Sequence, residues 1–276
     1  MPEGDSVWRA ARQLHQALSG QQLTASHFRV PRFATLNLAG WTVDEVVARG
    51  KHLLIRVHGP DDQKLTIHSH LKMEGTWQVY PPGGRWRKPG FTARCVLRTA
   101  AAEAVGFSLG IVEVVRTVDE DSVVGHLGPD LLGPDWDPAE AERRIRAAPD
   151  LPLGLALLDQ RNLAGVGNIY RCEACFLSGV HPASPVSAVP DLGTVVADAK
   201  QLLEANLGPG RRVTMLSPSG MPVGRMPGRA GYWVYRREHQ PCLRCGTPIR
   251  RGLLGKPNGE EERDIYFCPQ CQPLLS

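Results

Sequence analysis

The sequence predicts an α+β fold: an N-terminal antiparallel β-sandwich with a flanking helix, a helical middle segment, and a C-terminal module built on four cysteines. Three observations carry this. Short alternating apolar runs fill the first part of the chain, helical periodicity and capping signals fill the middle, and two closely spaced cysteine pairs stand near the end. The expected divisions are 1–118, 119–231 and 232–276.

Ser6 to Leu18 places Val7, Ala11, Leu14 and Leu18 on one stripe, the spacing of an amphipathic helix, and Gly20 ends it. From Leu23 to about Val115, short runs such as Val43–Val47, Leu53–Val57, Leu65–His68, Thr76–Tyr80, Ala93–Leu97 and Ile111–Val115 are separated by Gly, Pro and Asp. Strands this closely spaced suit a sandwich. Asp137-Pro138 before an Ala/Glu/Arg run reads as an N-cap with Pro in the first turn. Leu153–Leu158 and Ile169–Leu177 read as apolar helices on either side of a tight Asn162–Asn168 turn, and Ala197–Leu207 as another. The segment from Gly208 to Gly231, rich in Gly, Pro, Ser, Arg and Met, has no periodicity and reads as a mobile basic loop.

Cys242 and Cys245 are separated by two residues, as are Cys268 and Cys271. Two such pairs form knuckles that converge on one zinc, and four thiolates leave no open position, so the metal is expected to be structural. No organic cofactor is expected. Cys172 and Cys175 lie inside an apolar helical pattern and read as core, as does Cys95 on a strand. His68 and His70 share one strand face. A metal, a structural role and a phosphate contact all remain open for them.

The chain of 276 residues has a hydrophobic fraction of 42% and a net charge of +4, with basic residues gathered from Arg211 to Arg263. A mildly basic protein suits an anionic partner without requiring one. The first residues, MPEGDSVW, hold two acids and no apolar run, and no apolar stretch approaches the roughly 20 residues of a membrane span. An odd cysteine count with a metal-type pattern fits a reducing compartment. A cytoplasmic, nucleoid-associated monomer without membrane attachment is therefore expected.

Trimming of Met1 would expose the secondary amine of Pro2. An α-amine has a reference pKa of about 8, against about 10.4 for lysine, so more of it is neutral at cellular pH. A neutral amine that attacks an electrophilic sugar carbon forms an iminium, an electron sink. Glu3, the next residue, is placed to protonate a sugar ring oxygen.

Several motifs in order along the chain resemble one family. They are the opening MPEG, Arg49-Gly50-Lys51-His52-Leu53-Leu54, Leu157-Leu158-Asp159-Gln160 leading into Gly165-Val166-Gly167-Asn168-Ile169-Tyr170, and the terminal Cys-Pro-Gln-Cys-Gln. Together they resemble the formamidopyrimidine-DNA glycosylase / endonuclease VIII family, and the start resembles its bacterial endonuclease VIII branch. The resemblance implies a β-sandwich domain, a helix-two-turn-helix domain and a zinc finger, with damaged double-stranded DNA held in the cleft between. It implies Pro2 as nucleophile, Glu3 as general acid, Lys51 in acid catalysis and phosphate binding, Asn168 on phosphate, and Arg263 as the zinc-finger arginine that clamps the backbone at the reacting nucleotide. His70-Leu71-Lys72-Met73-Glu74-Gly75 resembles the family's intercalation loop, with Met73 as a wedge between bases and His70 and Lys72 beside the DNA. Met73 as ordinary strand core is the competing reading.

The implied activity is that of a bifunctional DNA glycosylase and abasic-site lyase of base excision repair, which flips out an oxidised pyrimidine and leaves a one-nucleotide gap by β,δ-elimination. An 8-oxoguanine and formamidopyrimidine enzyme of the same family is the alternative. Two further readings are a non-catalytic DNA-binding zinc protein, which needs no Pro2 amine, and a zinc-ribbon interaction module, which leaves Lys51 and Asn168 unexplained. Glu260-Glu261-Glu262 departs from the pattern by placing anions directly before Arg263.

Overall fold

The computed structural model describes residues 2–216, 231–255 and 262–276. The chain divides into two compact units, residues 1–126 and 127–276.

The first unit opens with helix α1 (Gly4–Leu18), whose Val7, Ala11, Leu14 and Leu18 are buried as their spacing requires. Eight strands follow: β1 (Ala25–Phe28), β2 (Thr42–Arg49), β3 (His52–His58), β4 (Lys64–His70), β5 (Thr76–Tyr80), β6 (Ala93–Arg98), β7 (Glu103–Phe107) and β8 (Ile111–Arg116). They form two four-stranded antiparallel sheets, ordered β1-β6-β7-β5 and β2-β3-β4-β8. Leu53, Ile55, Val57 and Ile67 of one sheet meet Phe28, Cys95, Leu97 and Trp77 of the other in a single core, closed by the apolar stripe of α1. This is the expected sandwich with its flanking helix. A short helix α2 (Asp121–Val124) ends the unit.

Alternation sends the other residues of β2, β3, β4 and β8 to the outer face of their sheet. That face carries Arg56, which pairs with Glu120 and Glu45, and a row of histidines described below.

The second unit holds α3 (Pro138–Arg146), α4 (Leu153–Leu158), α5 (Asn168–Leu177) and α6 (Leu192–Glu204). The Asp137 carboxylate accepts the Glu140 N–H at 3.1 Å, the expected N-cap, and Asp191 caps α6 in the same way through Thr194. Gln160 shapes the turn between α4 and α5: its side chain accepts from Gly165 N–H and donates to the Val166 carbonyl, both at 3.0 Å. A hairpin of β9 (Arg250–Leu254) and β10 (Arg263–Phe267) completes the unit. No helix among the described residues is long and apolar enough to cross a membrane. Residues 217–230, most of the expected basic loop, lie outside the described residues.

Candidate nucleic-acid interface and metal centre

Pro2 is half-buried directly before α1, and Glu3 is fully buried as the helix N-cap, its carbonyl accepting from Ser6 and Val7. Helix α1 runs against β2: Ser19 Oγ donates to the Asp44 carbonyl, and Val46 N–H donates to His15 Nδ1. The helix and strand are thus antiparallel. Glu3 lies about 18 Å back along the helix from His15, at 1.5 Å per residue. Lys51 lies about 16 Å onward from Val46, at roughly 3.3 Å per residue of strand. Pro2, Glu3 and Lys51 therefore stand at the same end of the unit.

Lys51 occupies a two-residue hairpin loop between the paired residues Arg49 and His52. The left-handed backbone falls on Gly50, with φ of 58°, the first loop residue, as a type II′ turn requires. A side chain there would strain the turn that presents Lys51.

His70, at the end of β4, is the cross-strand partner of His52. Its Nδ1 accepts the Lys72 N–H at 2.9 Å, so in the neutral ring Nε2 carries the hydrogen and can donate to an anion. Burial, then the charges of Lys72 and Lys51, push the His70 pKa down to about 4. Met73 lies in a turn, not in a strand core, and is 63% exposed. Buried Leu71 anchors the turn, and Gly75 N–H closes it on the Leu71 carbonyl. A Cβ on Gly75 would lie 2.4 Å from that oxygen, so the turn depends on glycine.

In the second unit, Asn168 opens α5 and is buried. Its Nδ2 donates to the Asp264 carbonyl on β10 at 2.9 Å, and its Oδ1 accepts from Arg171. The next residue before Asp264 is Arg263, exposed and without an ion-pair partner among the described residues. Asn168 and Arg263 are thus brought together through one backbone bond. Of the acidic residues before Arg263, Glu262 is exposed, and Glu260 and Glu261 lie outside the described residues.

Two buried charged residues escape a reading by pattern. Arg171 is fully buried; its Nη2 also donates to the Asp264 carbonyl, and its Nε and Nη1 find no acceptor among the described residues. Glu173, two residues further into α5, accepts the N–H groups of Trp233, Val234 and Tyr235 at 2.8, 2.9 and 2.8 Å, and the Thr214 hydroxyl as well. Their one visible signal is a charge inside the apolar run Ile169–Leu177.

The four cysteines Cys242, Cys245, Cys268 and Cys271 bring their sulfurs within 4.8 Å of one another. Cys242 and Cys271 sulfurs are 3.9 Å apart and those of Cys245 and Cys268 3.4 Å apart. A tetrahedral metal with bonds of about 2.3 Å spaces its sulfurs by about 3.8 Å. Backbone N–H groups of Arg244 and Cys271 point at the sulfurs of Cys242 and Cys268. The donor set therefore fits a metal ion. Buried Gln272 ties the second knuckle down, accepting from Cys268 N–H and donating to the Val180 carbonyl. Cys95, Cys172 and Cys175 are fully buried core, as expected.

Residues 1–109 match the formamidopyrimidine-DNA glycosylase N-terminal domain, and residues 127–216 its H2TH domain. The chain is 51% identical to probable endonuclease 8 2 of Streptomyces coelicolor over 99% of its length and 94% of that protein. It is 44% identical to a DNA-(apurinic or apyrimidinic site) lyase of Mycolicibacterium smegmatis, covering 99% of each chain. Among solved structures, Lactococcus lactis formamidopyrimidine-DNA glycosylase bound to abasic-site DNA superposes with a TM-score of 0.76 at 23% identity, over 98% of this chain and 99% of that one. With the sandwich, the helical domain and the four-cysteine module in place, this full-length similarity establishes that the chain belongs to the formamidopyrimidine-DNA glycosylase / endonuclease VIII family.

Proposed function

We propose that the chain is a DNA glycosylase and abasic-site lyase of base excision repair, acting on oxidised pyrimidines in duplex DNA. The observation that carries the reading is the placement of Pro2, Glu3 and Lys51 at one end of the first unit, in a chain 44% identical to an abasic-site lyase. Preference for pyrimidines is supported by relatives named endonuclease 8.

The chemistry follows from the groups present. With Met1 removed, the Pro2 nitrogen stands at the positive end of the α1 dipole, which favours its neutral, attacking form. That nitrogen forms a bond to C1′ as the glycosidic bond breaks and the base leaves with the electron pair. The nitrogen then gives up its proton, its lone pair breaks the bond from C1′ to the ring oxygen and forms an iminium, and Glu3 donates a proton to that oxygen. Loss of the C2′ proton then expels the 3′ phosphate, and a second elimination expels the 5′ phosphate. Lys51 and His70 on the first unit, and Asn168 and Arg263 on the second, hold the flanking phosphates. Lys72 lies beside the DNA, and Met73, on its exposed turn, enters the space left by the flipped nucleotide.

We assign zinc to the four-cysteine site. Four thiolates complete its coordination, so the ion supplies rigidity to the β9–β10 hairpin that carries Arg263. The working domain map is 1–118, 119–231 and 232–276, and the working location is the cytoplasm beside the nucleoid, as a monomer.

Single-turnover cleavage of matched duplexes tests the reading. Faster excision of 5-hydroxyuracil, dihydrouracil or thymine glycol than of 8-oxoguanine opposite cytosine is expected, with a one-nucleotide gap as product. Equal or faster excision of 8-oxoguanine would move the chain to the purine branch. No incision of abasic DNA would remove the activity altogether.

A further inference from the structure

The outer face of the β2-β3-β4-β8 sheet carries a hydrogen-bonded chain that the reaction above does not use. His52 Nδ1 lies 2.8 Å from His68 Nε2, and His68 Nδ1 lies 3.1 Å from Glu113 Oε2. The proton positions follow in order from the far end. An ionised carboxylate can only accept, so His68 Nδ1 carries the hydrogen. His68 Nε2 is then the lone pair of a neutral ring, so His52 Nδ1 must donate to it. That leaves His52 Nε2 as a base.

We propose that His52, His68 and Glu113 form a proton relay behind Lys51 and His70, through which the site takes up one proton when a DNA phosphate docks. This rests on the DNA-binding reading above.

The geometry supports uptake at the inner end of the relay. His68 is almost wholly buried, and its carboxylate partner makes it the best place for a positive charge. His52 is less buried, follows Lys51 directly, and packs edge-on against His70 with ring centroids 4.9 Å apart. A proton added at His52 Nε2 is matched by transfer of the Nδ1 hydrogen to His68 Nε2. One N–H bond forms at each ring's Nε2, one breaks at His52 Nδ1, and the charge ends beside Glu113.

What opposes this without DNA is burial and like charge. Burial, then His70, His68, His126 and Lys72, hold the His52 pKa down to about 3. Burial also lowers that of His68, against the opposing pull of Glu113, with His126 adding to the lowering. A phosphodiester beside Lys51 and His70 offsets the lysine charges and raises the proton affinity of the chain. Because the bound state then holds the proton more tightly, binding strengthens as pH falls, by up to about tenfold per pH unit for one proton.

The test has two arms. Nitrogen-15 NMR of the histidine rings in the DNA-free protein should find His68 neutral with its hydrogen on Nδ1; a hydrogen on Nε2 would overturn the relay. Calorimetry with a duplex containing a tetrahydrofuran abasic analogue, in two buffers of different ionisation heat, then counts protons between about pH 5.5 and 8. Wild type should take up a fraction of a proton that grows as pH falls through that range. Glu113→Gln keeps an acceptor for His68 and removes only the charge, and His52→Gln removes the entry point. Each should bind the duplex with that uptake lost. Unchanged uptake in either variant would overturn the proposal. If wild type binds no DNA at all, the functional reading fails first, a result distinct from binding without proton uptake.

Discussion

Replacing Glu173 tests how the four-cysteine module is seated on helix α5. The carboxylate is fully buried and is the shared acceptor of three consecutive backbone N–H groups and one hydroxyl. Glu173→Ala leaves three amides without that acceptor, at about 1–3 kcal/mol each. Part of this is offset, because the variant no longer buries a carboxylate, a cost of several kcal/mol. A net loss of about 2–5 kcal/mol is expected once that relief is set against the three unsatisfied amides. Glu173→Gln keeps one oxygen, enough for Val234 and Tyr235, and turns an NH₂ group toward the Trp233 N–H. It should lose about 1–3 kcal/mol. Urea unfolding of the metal-loaded protein measures both. Trp233, stacked on Phe176 with centroids 5.5 Å apart, is a local fluorescence probe. Its signal should change first in Glu173→Ala, ahead of global unfolding. Stability of Glu173→Ala within about 1 kcal/mol of wild type would refute the claim that this carboxylate holds residues 233–235 in place.

Cys268→Ser should lose bound zinc and DNA affinity while the first unit keeps its circular dichroism; retention of one tightly held zinc would contradict a four-thiolate site. Arg263→Ala should flatten the slope of log affinity against log salt by up to about one unit, as expected for one lost phosphate contact. Asn168→Ala removes one of the two donors to the Asp264 carbonyl, leaving that of Arg171, and so should weaken binding with little change of slope. If Arg263→Ala alters neither affinity nor slope, Arg263 is not the clamp.

Much of this architecture is legible in the residues because it depends on local periodicity. The stripe of α1 announces its buried face, short apolar runs announce β2 to β6 and β8, and cysteine spacing announces the metal module; β7, buried at every position, shows no alternation. What stays hidden depends on partners that carry no signature. Glu173 and Arg171 sit in a run whose apolar pattern correctly marks a helix, yet their partners are backbone groups at 233–235 and 264, which any residue supplies. His52 and His68 meet only because β3 and β4 pair in a register that sets Leu54 opposite His68 and His52 opposite His70. Strand β9 is arginine-bearing and mostly exposed, and β10 buries the consecutive Ile265 and Tyr266, so no alternation marks either. The exposed turn at Met73, by contrast, is flanked by the charged Lys72 and Glu74, a pattern that does not suit strand core.

The proposed chemistry depends on the Pro2 amine. Borohydride reduction of a reaction with abasic duplex DNA, followed by mass spectrometry of the adduct, tests it directly. With Met1 removed, the reduced cross-link should map to the Pro2 nitrogen, and a form that retains Met1 or carries an N-terminal tag should give no cross-link and no strand cleavage. A tagged protein of full activity, or a cross-link mapped to Lys51, would contradict it.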